Sequence, residues 1–305
     1  YKEENISFTN AGYTFNGTLT LPQNYSKQTP VVLMVTGSGQ QNRDEEWFYH
    51  KPLAVIADAL ARQGIASLRY DDRGWNDKNI DFYQFTTNDF LQDAASALPL
   101  LRKRFNKVGI LGHSEGGTIA MMLAAEGKVD FIVSLAGMAI SGKETLVIQN
   151  RQAMSAINLP KDMVDSYCAT ISNILNEIAN GKKTSEITID GVPDNLKPIL
   201  KRSLEQANSS YIRHFITIDA GKQLSKIKCP VLALNGTKDT QVDCAANTTI
   251  LETGLSNCKH TIKKIDGVNH LFQHCSTGSV VEYQQIEETI APEALETITK
   301  WIYEQ

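Results

Sequence analysis

Four strand-like runs alternate with helix-like segments in the first half of the chain, and this alternation constrains the fold most strongly. PVVLMVTG is continuously apolar and closes on glycine, as is typical of a strand buried on both faces of a parallel sheet. Strands that alternate with crossover helices form such a sheet, with helices covering both faces. The four runs are PVVLMVTG, IASLRYD, VGILGHS and VDFIVSLAG, at 30–37, 65–71, 108–114 and 129–137.

Helices are predicted where apolar residues recur at helical spacing. The segment 51–64 has Pro52 near its start and Gly64 at its end, which fits the residue preferences of helix termini. The segment 6–22 is rich in alternating β-formers and predicts an antiparallel hairpin or a pair of edge strands. The other predicted elements are helices at 87–105, 115–127 and near 245–255, strands at 229–239 and 261–266, and a last helix from Pro292.

The alternation breaks between about Ile140 and about Lys226. Residues 163–181 have helical spacing there, and further helix-like pieces lie around 196–204 and 211–215. A segment this long and this patterned differs from an ordinary loop. We therefore predict an α/β core interrupted by a helical cap. The predicted core comprises 1–139 and 227–305, and the predicted cap is 140–226.

Composition and charge exclude several classes of function. The 305 residues are 42% apolar and 21% charged, which is ordinary for a globular protein. The net charge of −4 comes without a Lys- or Arg-rich block, so we expect no nucleic-acid partner. No apolar run is long enough to span a membrane.

Five cysteines without a CxxC pair argue against a zinc site and against a disulfide scaffold. One bridge among Cys244, Cys258 and Cys275 stays open, and we expect no metal and no cofactor. The chain begins without methionine or an apolar leader, which fits a mature periplasmic or secreted protein as well as a trimmed chain. A cytoplasmic location also stays open.

The sequence GILGHSEGGTIA contains a GxSxG pattern made of Gly112, Ser114 and Gly116. The pattern should occur by chance in roughly one chain in ten of this length, so its context decides. Here it joins a predicted strand to a predicted helix, where small residues allow a strained turn that exposes a nucleophile. The helix beginning at Glu115 also directs free N–H groups towards the serine. We interpret Ser114 as a nucleophile on an elbow, and a glycine-rich turn with a solvated serine is the alternative.

A serine nucleophile needs a base and a third group that orients the base. In an α/β sheet the expected chain order is serine, acid, histidine. Asp239 ends the strand at 229–239, and His270 follows the strand at 261–266. We prefer Asp239 as the acid. Its rivals are Asp243, Asp219 and Asp266. The sequence AGMA after the strand 129–137 contains no carboxylate, which removes the alternative acid location one strand earlier.

Six histidines compete for the role of base, and His270 is preferred because it lies at the exit of a strand. His274, four residues later, is its main competitor. His113 adjoins the nucleophile and should point away from it. The remaining three are expected in surface, packing or strand-start positions: His50, His214 and His260.

Acyl transfer also needs backbone donors for an oxyanion. We predict the N–H groups of Glu115 and of Ser38, the latter in TGSGQQNRDEE, where an ordinary Gly-Ser turn is the alternative. Arg43 and Asp44 either line the cleft or pair with each other. In YDDRG, Arg73 is expected to tie loops together. The substrate-binding candidates are Gly39, Arg43, Met138, Tyr167 and Tyr211.

At these residues the chain resembles the α/β-hydrolase superfamily. Within it, the resemblance is to bacterial serine esterases near the serine aminopeptidase-like and acyl-CoA thioester hydrolase-like branches. The motifs VTGSGQQNRDE, LRYDDRG, GILGHSEGG, VLALNGTKDTQV and GVNHLFQ occur in family order over nearly the whole chain. The resemblance implies an eight-stranded, mostly parallel sheet, a Ser114, Asp239, His270 triad and a cap over an acyl pocket. One departure is that Thr36 and Gly37 stand where many members have His-Gly.

The expected function is hydrolysis of small-molecule carboxylic esters with short to medium acyl chains, through an acyl-enzyme. A thioesterase would need cations for coenzyme A phosphates, and no such cluster lies near the motifs. A peptidase would need a carboxylate for the substrate amine, and Glu115, Asp44 and Glu45 are candidates. A binding module without activity usually lacks a triad member. The oligomeric state is left open.

Overall fold

A single sheet of eight strands runs through the protein in a computed structural model that describes residues 1–189, 192–194 and 196–305. The strands are β1 (Lys2–Asn10), β2 (Tyr13–Leu21), β3 (Val31–Val35), β4 (Ala66–Tyr70), β5 (Val108–His113), β6 (Phe131–Leu135), β7 (Val231–Gly236) and β8 (His260–Ile265). Their spatial order is β1-β2-β4-β3-β5-β6-β7-β8.

Most of the sheet is parallel, as predicted. β1 pairs antiparallel with β2, which confirms the hairpin expected at 6–22, and β2 pairs antiparallel with β4. The other neighbours pair in parallel. Every residue of β3 to β7 is buried, because helices cover the sheet on both sides.

Helices flank both faces of the sheet. The described residues form α1 (Pro52–Arg62), α2 (Thr87–Arg102), α3 (Glu115–Ala125), α4 (Gly142–Ala156), α5 (Lys161–Ala179), α6 (Lys197–Gln206), α7 (Ser210–Phe215), α8 (Cys244–Gly254) and α9 (Pro292–Tyr303). One apolar cluster unites the sheet with α2, α3 and α8, and a second unites its other face with α1 and α9. Short 3-10 helices lie at Phe82–Gln84, Thr184–Glu186, Ala220–Lys226 and Val280–Gln285.

Among the residues that the structure describes, four helices, α4 to α7, lie between β6 and β7, where the alternation breaks in the sequence. They share an apolar cluster of their own, which includes Tyr167, Ile171, Ile174 and Leu200. Residues 190, 191 and 195 of the predicted cap fall outside the described part of the chain. Helix α4 was not predicted as an element, although Ser141 and Glu144 form a capping box at its start.

The buried guanidinium of Arg73 joins the loop after β4 to helix α2, whereas the sequence analysis expected it to tie loops together. Its guanidinium donates to both carboxylate oxygens of Asp93, at 2.9 and 2.7 Å. The rings of Tyr13 and Phe85 each lie 4.7 Å from the guanidinium carbon. Pairing and stacking together compensate for the burial of this charge.

All five cysteines are free, so the bridge left open among the last three is absent. Within the described ranges, no helix has the length and apolar character required to cross a membrane. No group of three or more His, Cys, Asp or Glu residues in the same part of the chain could hold a metal ion.

Candidate active site

Ser114 lies on a sharp turn between β5 and α3. Its backbone has φ of 53° and ψ of −118°, a conformation that side-chain-bearing residues rarely adopt. A Cβ at Gly112 would lie 2.0 Å from the Gly116 carbonyl oxygen, and one at Gly116 would lie 2.2 Å from that of Val35. Glycine is therefore required on both sides, because the backbones of β3, β5 and α3 converge beneath the serine.

His270 and Asp239 form a buried pair beside this turn. His270 Nδ1 lies 2.7 Å from Asp239 Oδ2, and the side chains are 5% and 0% exposed. The second carboxylate oxygen accepts the N–H groups of Gln241 and Val242, each at 2.8 Å. Since Asp239 occupies Nδ1, the ring nitrogen left to exchange a proton with a neighbour is Nε2.

Ser114 and His270 line one cavity of about 270 Å³. No hydrogen bond among the described residues joins the Ser114 hydroxyl to the His270 ring. In enzymes without substrate such contacts are often long and tighten in the Michaelis complex. The same cavity is lined by Ser38, Met138 and Tyr211 of the predicted site.

The two predicted oxyanion donors belong to the loop after β3 and to the start of α3. Glu115 is the first residue of α3, so its N–H has no partner within the helix. Ser38 follows β3, and its N–H meets no acceptor among the residues that the structure describes. Both backbone donors are thus free beside the candidate nucleophile.

The carboxylate of Glu115 is buried, with 2% of the residue exposed. It accepts hydrogen bonds from the Thr87 hydroxyl at 2.5 Å and the Tyr211 hydroxyl at 2.6 Å. Burial raises the pKa of Glu115, and the hydrogen bonds from Thr87, Tyr211 and Ser38 oppose that rise. This side chain therefore joins α3 to α2 and to α7.

A second buried carboxylate, Glu45, holds two loops of the cavity together. Its Oε1 accepts the Gly37 N–H at 2.7 Å and lies 2.8 Å from His113 Nδ1. His113 Nε2 lies 2.9 Å from the backbone oxygen of His270. Burial disfavours the charged imidazole, but the charge and hydrogen bond of Glu45, together with the His270 carbonyl and the charge of Asp239, raise the pKa of His113. Both ring nitrogens thus face acceptors and point away from Ser114, as the sequence analysis expected.

Neither predicted placement of Arg43 and Asp44 is observed. Arg43 donates to Asp71 through Nε at 3.0 Å and Nη2 at 2.5 Å, whereas Asp44 pairs with Arg69. These ion pairs join the loop after β3 to β4 and its loop. Arg43 therefore lies outside the cavity, because its guanidinium is held by the neighbouring loop.

The other substrate-binding candidates divide. Met138 and Tyr211 line the cavity. Gly39 lines a separate small cavity beside Thr36, and Tyr167 is buried within the cluster of α4 to α7. Glu45, a candidate for amine binding, also lines the cavity, whereas sequence reasoning missed Gln149, Gln241 and several aliphatic lining residues, because contacts between distant segments place them there.

The rival acids and bases have other partners. Asp243 caps α8, Asp219 pairs with Lys222, and Asp266 accepts from Thr237. His274 is 51% exposed and pairs with Glu288 and Glu293. The remaining histidines also lie outside the cavity lining: His50 contacts Thr289, His214 lies in α7, and His260 begins β8.

Comparisons with known proteins find similarity to a peptidase family and to esterases. Residues 49–174 match the family model described as serine aminopeptidase, S33. Esterase EstD of Thermotoga maritima is 25% identical over 304 residues, which cover 97% of this chain and 68% of that protein.

Solved structures of similar architecture include Est1E from Butyrivibrio proteoclasticus, with a TM-score of 0.58 and 16% identity over 98% of this chain and 96% of that one. The Pyrococcus furiosus esterase Pf2001 has a TM-score of 0.54 and 12% identity, and the match covers 100% of this chain and 93% of that one. Dienelactone hydrolase from Anabaena variabilis has a TM-score of 0.54 and 18% identity, and the match covers 99% of this chain and 95% of that one. The chain therefore has the α/β-hydrolase fold, and over nearly its whole length it is similar in sequence to a bacterial esterase.

Proposed function

We propose that this chain is a serine carboxylesterase that cleaves esters of short to medium acyl chains through an acyl-enzyme on Ser114. One observation carries the proposal. His270, joined at 2.7 Å to buried Asp239, lines the same cavity as a serine held on a strained turn. The similarity to esterases of the same fold supports it.

The proposed reaction has two halves. His270 Nε2 takes the Ser114 proton while Oγ bonds to the ester carbonyl carbon, and Asp239 stabilises the imidazolium. The N–H groups of Ser38 and Glu115 receive the oxyanion. His270 then returns the proton to the leaving alcohol as the ester C–O bond breaks. A water adds to the acyl carbon, its proton passes through His270 to Ser114, and the acid leaves.

Ester hydrolysis is favoured over peptidase action because the carboxylates considered for amine binding are engaged elsewhere. Glu115 accepts two hydroxyls, and Asp44 pairs with Arg69. Glu45 Oε1 contacts His113 Nδ1 and accepts the Gly37 N–H. One observation keeps aminopeptidase activity as the second candidate. Glu45 lines the cavity, and its buried Oε2 has no hydrogen-bond partner among the described residues.

Thioesterase action on coenzyme A esters receives less support. None of the described residues lining the cavity is Lys or Arg, so its walls offer no cation for the phosphates of that carrier. We also propose that 140–226 forms a cap on a core of 1–139 and 227–305. Leu146, Tyr211, Ile212 and Phe215 of this segment line the cavity together with residues of the proposed core.

The test compares p-nitrophenyl butyrate with leucine p-nitroanilide. The wild type should hydrolyse the ester with the higher kcat/KM. Ser114→Ala and His270→Ala should abolish turnover above background, and Asp239→Asn should lower kcat by about 10⁴-fold. Ser155→Ala, an exposed serine on α4, is the matched control and should leave kcat unchanged. Faster cleavage of the anilide would favour the peptidase, and full activity in Ser114→Ala would overturn both.

A further inference from the structure

A second cavity lies inside the group of helices α4 to α7. It measures about 170 Å³, and we call it the inner chamber. Its walls include Ile171, Leu175, Leu200 and Ala207, all buried in the apolar cluster of these helices. It is separate from the cavity of Ser114, but Leu146 and Ile212 line both. Two aliphatic side chains are thus a common wall.

The lining of the inner chamber favours an uncharged, apolar ligand. The described residues that line it include no charged side chain. Two of its three polar residues bond within their own helices: Asn150 Nδ2 donates to the Leu146 carbonyl at 2.8 Å, and Ser203 Oγ donates to that of Ile199 at 3.2 Å. The third, Gln206, is exposed at the rim. The described lining is therefore mostly apolar, with nine aliphatic or alanine side chains beside these three polar ones.

The size of the inner chamber suits part of a hydrocarbon chain. An apolar cavity of about 150 Å³ stays dry and accepts a benzene-sized molecule. Leu146 and Ile212 are both partly exposed, and their side chains make no hydrogen bond. Rotamer changes at these two residues would join the cavities without breaking a polar contact.

We propose that the inner chamber receives the distal methylenes of an unbranched acyl chain whose ester carbonyl is bound at Ser114, so that the preferred substrates are medium-chain fatty acyl esters. The chain passes between Leu146 and Ile212. This assignment rests on the proposed esterase function. In this proposal the helices α4 to α7 determine which acyl chain length the protein prefers.

The test is kcat/KM for p-nitrophenyl esters from acetate to dodecanoate. Each methylene that enters the chamber should raise kcat/KM by about fourfold, until the chamber is full. Ala207→Phe should fill the chamber. It should lower kcat/KM for decanoate by at least about tenfold and change that for acetate by less than about twofold. Ala169→Phe, at an exposed position of α5, is the matched control and should leave the whole profile unchanged.

Ser203→Phe fills the chamber from a partly exposed position and decides the matter if Ala207→Phe does not fold. Equal losses for acetate and decanoate, or no loss for either, would overturn the chamber. Chain-length-independent hydrolysis by the wild type would overturn it too and leave the esterase proposal standing. Absence of hydrolysis for every ester would instead refute the esterase proposal.

Discussion

Replacing Gly116 with alanine should displace the loop that carries the Ser38 N–H. A Cβ at this position would lie 2.2 Å from the Val35 oxygen and 2.5 Å from the Thr36 oxygen, whereas ordinary contacts begin at 3.4 Å. Relief of the closer contact requires a movement of about 3.4 − 2.2 = 1.2 Å. Both oxygens belong to backbone just before Ser38, so a rotamer change cannot absorb the movement.

The size of the effect follows from that displacement. A misplacement of about 1 Å costs a reaction about 10²-fold, and loss of one oxyanion donor costs about 10² to 10³ in kcat. We therefore expect Gly116→Ala to lower kcat about 100-fold. KM should change by less than about threefold, because the ground-state ester does not depend on these donors. The free energy of unfolding should fall by about 1–3 kcal/mol through overpacking.

The assay pairs steady-state kinetics on p-nitrophenyl butyrate with urea denaturation. Gly127→Ala is the control, since Gly127 follows α3 with φ of +70° in open space. This substitution should cost about 1–2 kcal/mol of stability through backbone strain and leave kcat unchanged. A folded Gly116→Ala protein with kcat within about threefold of wild type would refute the reasoning. An equal loss of kcat in Gly127→Ala would attribute the effect to stability instead.

Three further substitutions have defined outcomes. Arg73→Met leaves the buried carboxylate of Asp93 without its cation and should lower the free energy of unfolding by about 3–5 kcal/mol; an unchanged urea midpoint would contradict this. Tyr211→Phe removes a donor from buried Glu115 and should cost about 1–3 kcal/mol, whereas equal stability would show that Glu115 is satisfied without it. The hydrogen bond to Glu288, followed by the charges of Glu288 and Glu293, raises the pKa of His274. The contribution of protonated His274 to stability is therefore present at acidic pH and is lost as the pH rises through the raised pKa. His274→Gln should therefore lower the melting temperature at about pH 5 and leave it unchanged at about pH 9, without loss of esterase activity; an inactive variant would move the base to His274.

The sheet and its flanking helices could be predicted because their signals are local. β3 is apolar without interruption and β5 is apolar up to His113, and both lie fully buried in the parallel part of the sheet. Gly112, Ser114 and Gly116 were informative for the same reason, since a strand, a tight turn and a helix follow each other directly. A Cβ at Gly112 or at Gly116 would clash with neighbouring backbone, which is the physical basis of that pattern.

The contacts that hold the cavity loops could not be predicted, because they join distant parts of the chain. Glu45 and His113 are 68 residues apart, and Arg43 and Asp71 are 28 apart. A neighbouring opposite charge suggested that Arg43 pairs with Asp44, but the loop after β4 supplies the better-placed carboxylate. Helix α4 was missed because it buries only Gly142, Thr145 and Met154, so its apolar periodicity is weak.

The assignment of Ser114 as the nucleophile is tested most directly by covalent labelling. The folded protein is treated with a fluorophosphonate probe, and the modified residue is identified by peptide mass mapping. We expect one modified residue, Ser114, with labelling strongly slowed in His270→Ala and in Asp239→Asn because the serine then lacks an oriented base. A folded protein that remains unlabelled, or that is labelled at another residue, would contradict the assignment.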